Sequence, residues 1–151
     1  MKRELRRTIL HLLRAHRVMS LATVRADGYP QSTTVVYANE GLRIYFACDP
    51  HGQKVRNLAR NGRVSLTIGR EQEDFSRIVG LSMGGEAHVV RSPAERKLAW
   101  DLLEERFAAL RGVSEEERAA SAIVRVDPKV VSVVDYRRGY GHTDLVQVAR
   151  A

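Results

Sequence analysis

A single cysteine, Cys48, is all this chain offers for covalent crosslinking. One thiol excludes an internal disulfide framework and makes a reducing compartment the expected setting, which we read as cytoplasmic. It also cannot complete a thiolate metal centre, and His11, His16, His51, His88 and His142 show no metal-ligand spacing, so no metal is expected. Long apolar runs are missing. The best stretch, Ile9-Leu10-His11-Leu12-Leu13, is broken by a histidine, which argues against a membrane span or a secretory leader. No G-x-S-x-G elbow is present to carry a serine nucleophile. Acidic residues are in deficit, 18 against 25 lysines and arginines, for a net charge of +7. Such a balance invites nucleic acid. However, the arginines are spread along the chain, without the aromatic pattern of RNA-binding sheets, zinc spacing or a basic heptad. The expectation is a soluble arginine-rich surface, with no nucleic-acid partner and no membrane partner.

With 151 residues and 44% hydrophobic content, the chain reads as one domain, 1–151, able to bury a core without staples. No repeat, low-complexity segment or long linker divides it. Residues 2–16 place Leu5, Ile9, Leu12 and Leu13 at helical spacing, with arginines elsewhere around the turn. Residues 18–24 and 31–37 alternate as strands around Asp27-Gly28, a pair that suits a two-residue type I′ turn. A second turn at Asn39-Glu40-Gly41 leads to a third strand, 42–48, which completes an expected three-strand meander. Asp49 and Pro50 fit the cap and first position of a helix running to about residue 60, with Gly62 suited to a left-handed stop. Further strands are expected at 64–68, at 78–90 with a bulge or bend at Gly84-Gly85, and at 121–126 and 129–136 around Asp127-Pro128. Ser92-Pro93-Ala94-Glu95 and Ser114-Glu115-Glu116-Glu117 read as helix starts with capping boxes. Trp100, Leu103, Phe107 and Leu110 share one helical face, a packing surface. About six or seven strands with helices outside predict a mainly β barrel of the α+β class.

Candidate chemistry gathers near residue 54. A strand that hands over to a helix N-terminus, with Lys54 in the first turn and free amides around 52–54, is suited to hold a phosphate. Two readings compete with that. Lys54 could be a solvated surface lysine, and a capping Asp49 carboxylate would occupy the same amides. Gln31 and Thr33 fall on one face of their strand, Ser32 and Thr34 on the other. These groups suit the polar edge of a flat heteroaromatic ring, or equally a solvated sheet face. Cys48, at a strand end, reads as a small packed residue rather than a nucleophile. The tail, 137–151, places Tyr140 between two glycines and follows it with His142, Thr143 and Asp144. It suits either ordering over a ligand or a terminal arm.

The run VMSLATVRADGYPQSTTVVYANEGLRIYFACDPHGQKVRNLARNGRVSLTI resembles the pyridoxamine 5′-phosphate oxidase-like family of FMN-binding split barrels. Its order of hairpin, strand, lysine loop, helix and strand carries the likeness. GGEAHVV continues it more loosely, and GYGHTDLV is similar to the tail of a subgroup of small members. The resemblance implies an antiparallel split β-barrel and a homodimer with FMN at the subunit interface. It places Gln31, Ser32, Thr33, Thr34, Val35 and Val36 beside the isoalloxazine ring. Ala47, Cys48, Gln53 and Lys54 would receive the ribityl phosphate, and the partner would contribute from region 80–85. Gln53 stands where many relatives carry arginine, which leaves Lys54 facing a phosphate of about −1.5 to −2. The proline- and tryptophan-containing C-terminal motif of true pyridoxamine phosphate oxidases is absent. The implied activity is therefore an FMN-dependent oxidoreductase of unassigned substrate rather than vitamin B6 oxidation. Because a flavin carries its own chemistry, no catalytic acid or base is assigned. Tyr140 and His142 are candidates on the substrate side. Alternatives are the same fold with F420 or haem, a non-catalytic flavin carrier or sensor, or a basic nucleic-acid-binding barrel.

Overall fold

The computed structural model describes residues 1–148. Helix α1 spans Arg3–Ala15, and strands β1 (Val18–Val24), β2 (Pro30–Val36), β3 (Ala38–Glu40) and β4 (Arg43–Cys48) follow it. Helix α2 (Gln53–Arg60) leads to β5 (Arg63–Gly69) and β6 (Val79–Val89). Helices α3 (Pro93–Arg106) and α4 (Glu115–Ala119) precede β7 (Ala122–Asp135) and β8 (Thr143–Gln147). All strand pairs are antiparallel and form one sheet in the order β2-β1-β5-β6-β7-β4-β3, with β8 also on β7. Strands β2 and β3 lie at opposite ends of that order, yet only Tyr37 separates them in the chain. Two Cα–Cα steps span under about 8 Å, so the sheet must curl until its ends meet. The result is a curled, partly open half-barrel with peripheral helices, the split-barrel α+β fold.

Alternation along the strands fills the inside. Met19 and Leu21, Val64, Leu66 and Ile68, Leu81 and Met83, and Val131 and Val133 are all buried in one cluster. Helix α1 adds Ile9, Leu12 and Leu13 to that core, and α2 adds Leu58. A second cluster lies beneath α3, where Ala99, Trp100 and Leu103 pack on Tyr45, Val90 and Ile123. Trp100 is thus a packing residue. Among the described residues, no helix is long and apolar enough to cross a membrane.

Several local expectations are corrected. The meander does not form, because β4 pairs with β3 and β7 rather than with β2. At the first hairpin only Gly28 has positive φ, 87°, so the turn is not type I′. The Gly28 amide donates to the Arg25 carbonyl, and the Tyr29 amide to the Asp27 carboxylate, in a longer loop that needs one left-handed residue. Asp127-Pro128 does not divide two strands. Strand β7 runs through it, and the register shifts opposite Gly84/Gly85, where a bulge absorbs the missing proline N–H. Gly62 does not take a left-handed conformation. It approaches β6 instead, its carbonyl accepting from the Ala87 amide at 2.7 Å. Over 143–147 the tail is not a free arm but a strand, β8, paired with β7. Its last three residues, 149–151, lie outside the described residues.

The helix start at Ser92 forms as expected from its serine and proline, with Ser92 accepting from the Glu95 amide. Its capping box is half made. The Glu95 carboxylate turns away to accept from Tyr45 Oη at 2.9 Å and from Arg125 at 2.9 and 3.0 Å. At Ser114 the reciprocal box is complete.

Candidate functional site

The polar inner residues of β2 meet the start of α2. Strand β2 turns Gln31, Thr33 and Val35 inward and Ser32, Thr34 and Val36 outward, so its alternation splits the six on two faces. Helix α2 begins three residues later than its sequence suggests. Asp49 engages its own turn, its carboxylate accepting from the His51 amide at 2.8 Å and its carbonyl from the Gly52 amide at 3.0 Å. Gly52 becomes the cap and supplies no side-chain hydrogen bond, and the first turn of α2 holds no acid. Asp49 therefore does not compete for the leading amides, and the competition expected from a capping carboxylate is absent.

A cleft of about 90 Å³ lies between these elements, lined by Gln31, Thr33, Cys48, Asp49, Gly52, Gln53 and Lys54. Lys54 Nζ donates to Thr33 Oγ1 at 3.3 Å, which aims the ammonium across the cleft at β2. Gln53 donates to Asn57 Oδ1 at 2.7 Å and accepts from Arg56 at 2.9 Å. Position 53 thus lacks a charge of its own, but a guanidinium from the next turn sits beside it. Burial pushes the Cys48 thiol up, with Lys54 opposing and Asp49 reinforcing that shift. The shift favours the protonated thiol, which lines the cleft beside Lys54.

Five of the ten sequence-selected residues thus share one cleft: Gln31, Thr33, Cys48, Gln53 and Lys54. Val35 is buried in the core. Ser32, Thr34 and Val36 face outward, and Ala47 packs on the cluster beneath α3. Tyr140 is exposed and His142 lies in the turn before β8, its ring nitrogen 3.1 Å from the Asp144 carboxylate. Neither lines the cleft. Sequence reasoning missed Thr23 and Asn57, a buried polar pair behind the cleft, as well as Asp49 and Gly52 as lining residues. The i, i+4 spacing of Gln53 and Asn57 on α2 was the available signal. Among the described residues no group of three or more metal-binding side chains is placed to hold an ion.

What this geometry can do is offer an ammonium, uncommitted amides and amide side chains to an anion. The chain's relatives frame that capacity. Residues 5–135 match the family model described as pyridoxamine 5′-phosphate oxidase. General stress protein 26 of Bacillus subtilis (strain 168) is 26% identical over 106 residues, covering 70% of this chain and 74% of that protein. The structure of general stress protein 26 from Bacillus anthracis str. Sterne superposes with a TM-score of 0.74 at 18% identity, covering 96% of this chain and 99% of that one. A heme binding protein from Mycobacterium smegmatis gives a TM-score of 0.81 at 19% identity, covering 97% of this chain. The chain spans 59% of that protein's length. Sequence and fold agree: the chain belongs to the pyridoxamine 5′-phosphate oxidase-like, general stress protein split-barrel family.

Proposed function

We propose that the chain is an FMN-binding oxidoreductase whose cofactor phosphate docks at the start of α2. The observation that carries this reading is Lys54, held 3.3 Å from Thr33 Oγ1 beside a helix start free of acids. An ammonium and oriented amides are what a dianionic phosphate needs. Arg56, one turn on, donates to Gln53 Oε1 and the His51 carbonyl and adds a positive charge outside the cleft lining, so Lys54 is the cation in the cleft itself. Gln31 and Thr33 offer donors and acceptors to the polar edge of the cofactor, and half-buried Cys48 adds an uncharged side chain to the same wall.

One chain supplies only part of such a site. A cleft of about 90 Å³ is smaller than the ~300–1,000 Å³ of ordinary ligand pockets, so the rest of the cofactor needs a second wall. The outer face of β1, β2 and β5 suits a partner protomer. Val18 and Val36, 44% and 45% exposed, lie opposite each other, and the adjoining row of Thr34, Ser20 and Thr67 carries no charge. Uncharged surface is what the centre of an interface requires. We assign Ser32, Thr34 and Val36 to this shared wall, in a cytoplasmic homodimer.

When bound, FMN supplies hydride or electron transfer; the protein binds, orients and shields. The reading is tested by purifying the native protein. A flavin absorption spectrum with one FMN per protomer, reduced by NAD(P)H, is the expected result. Flavin that binds but is never reduced would mark a carrier or sensor, and a colourless protein indifferent to added FMN would contradict the proposal. Haem is a second reading, supported by likeness to the mycobacterial haem-binding protein and by His142, an imidazole steadied by Asp144. A Soret band would favour it, and retained F420 by mass spectrometry would favour a deazaflavin.

A further inference from the structure

Formal charge is unevenly distributed in this molecule. Residues 1–17 carry Lys2, Arg3, Arg6, Arg7, Arg14 and Arg17 against Glu4 alone, so +5 of the net +7 lies there. Elsewhere acids lie among the arginines and several are paired: Arg25 with Asp27, Arg43 with Asp127, Arg118 with Glu104, Arg125 with Glu95, Arg137 with Asp135 and Arg138 with Asp144. Among the described residues, the five arginines of α1 and its exit make no ion pair. All five are exposed. At 100° per residue, Arg3, Arg7 and Arg14 fall within one narrow stripe, about 16 Å long at 1.5 Å rise per residue. Two grooves, about 450 and 490 Å³, run along this face and share Arg14. Arg106 holds the helix end in place, donating to the carbonyls of Leu13 and Arg14 at 2.9 and 3.2 Å. Nearby, burial lowers the pKa of His16, and Arg70, Arg106 and His11 lower it further, as a positive local field would.

We propose that this face of α1, from Arg3 to Arg17, docks on the phosphate backbone of double-stranded nucleic acid without reading its sequence. A duplex presents one charge per ~1.7 Å of axis, so a row of this length overlies roughly nine phosphates, enough for all five guanidiniums. Arginine forks suit phosphate oxygens. Residues 1–17 contain no Asn or Gln to read base edges and no Phe, Tyr or Trp to stack on single-stranded bases. A membrane surface fits less well. Ile9, Leu12 and Leu13, the apolar side of α1, are committed to the core, and Met1 is the one large apolar residue exposed along this stretch. A second copy of the same face would be repelled. Read as a whole sequence the arginines look scattered; the surface emerges only when residues 1–17, with a single acid, are taken as one helical face.

The test is fluorescence anisotropy of the full chain on mixed-sequence duplex DNA and RNA of about 20 base pairs. Five contacts predict a log–log salt slope near −4, a loss of a few hundred-fold between about 50 and about 200 mM salt. The R3Q/R7Q/R14Q variant should lose about 3 of that slope and bind at least tenfold more weakly at low salt, with its melting temperature and FMN retention unchanged. A preference between DNA and RNA duplexes leaves the proposal standing. No duplex binding at low salt, a slope shallower than about −1, an unaltered slope in the variant, or tighter binding to vesicles of anionic lipid would overturn it. The wild-type slope alone decides the matter if the variant misfolds.

Discussion

Asn57 of α2 reaches across to Thr23 of β1, its amide nitrogen 2.9 Å from the threonine hydroxyl, with both residues 1% exposed. The same amide donates to Gln31 at 3.1 Å, and its oxygen accepts from Gln53 at 2.7 Å. Two residues of the cleft are therefore oriented from behind by one buried side chain. Asn57→Ala leaves Thr23 without that partner and frees both glutamines. Removing a partner from buried polar groups costs about 1–3 kcal/mol. We expect that loss in the denaturant midpoint, together with weaker FMN binding. Full stability and full affinity would show that the network is idle.

Tyr37, the residue that joins the two ends of the sheet, shares its hydroxyl proton between the carbonyls of Leu13 at 2.9 Å and His16 at 3.0 Å. Arg106 lies 4.9 Å above its ring. Tyr37→Phe strips those carbonyls of their donor and should cost about 1–2 kcal/mol. Burial pushes the phenol up to about 12 from 10.0, with Arg106 opposing. A raised native pKa means that this contribution to stability is fully present below the unfolded value and is lost as pH rises through the folded one. Stability of the wild type should thus fall between about pH 10 and pH 12 more steeply than that of the phenylalanine variant. Parallel curves would contradict the assignment.

Gly85 faces the proline bulge so closely that a Cβ there would lie 2.6 Å from the Asp127 carbonyl oxygen and 3.1 Å from Pro128 Cα. Both neighbours are backbone and cannot swing aside. Gly85→Ala should destabilise by about 1–3 kcal/mol. At Gly112 a Cβ meets nothing within 4 Å, and the same substitution should stay within about 0.5 kcal/mol of wild type. Thermal melts of the two variants check the contrast.

What the sequence made legible was local. Ser92-Pro93 and Ser114 announce helix starts through side chains a few residues from the amides they satisfy, and residues 18–24 show their buried face by alternation. Long-range pairing is not written in the residues that pair. Nothing in 42–48 says that its neighbour is β7 rather than β2, and only the curl of the whole sheet decides it. Asp127-Pro128 looked like a break because a proline in a central strand is tolerated only where a bulge is built beside it. Asp49 looked like a cap because an aspartate before a proline serves a turn as well as a helix. At the cleft, Gln31, Thr33 and Lys54 could be named in advance. Arg56 as the charge beside Gln53, and Asn57 as the anchor of both glutamines, needed the fold.

The central claim is that Lys54 fixes the phosphate of the cofactor. Titrating FMN into cofactor-free wild type, Lys54→Met and Lys54→Glu measures it directly. A charge-assisted hydrogen bond is worth about 1.5–3 kcal/mol, or roughly a 10- to 150-fold change in Kd. The account predicts a loss in that range for Lys54→Met and a larger one for Lys54→Glu, while riboflavin, which lacks the phosphate, binds all three proteins alike. Equal FMN affinity across the three proteins would contradict it.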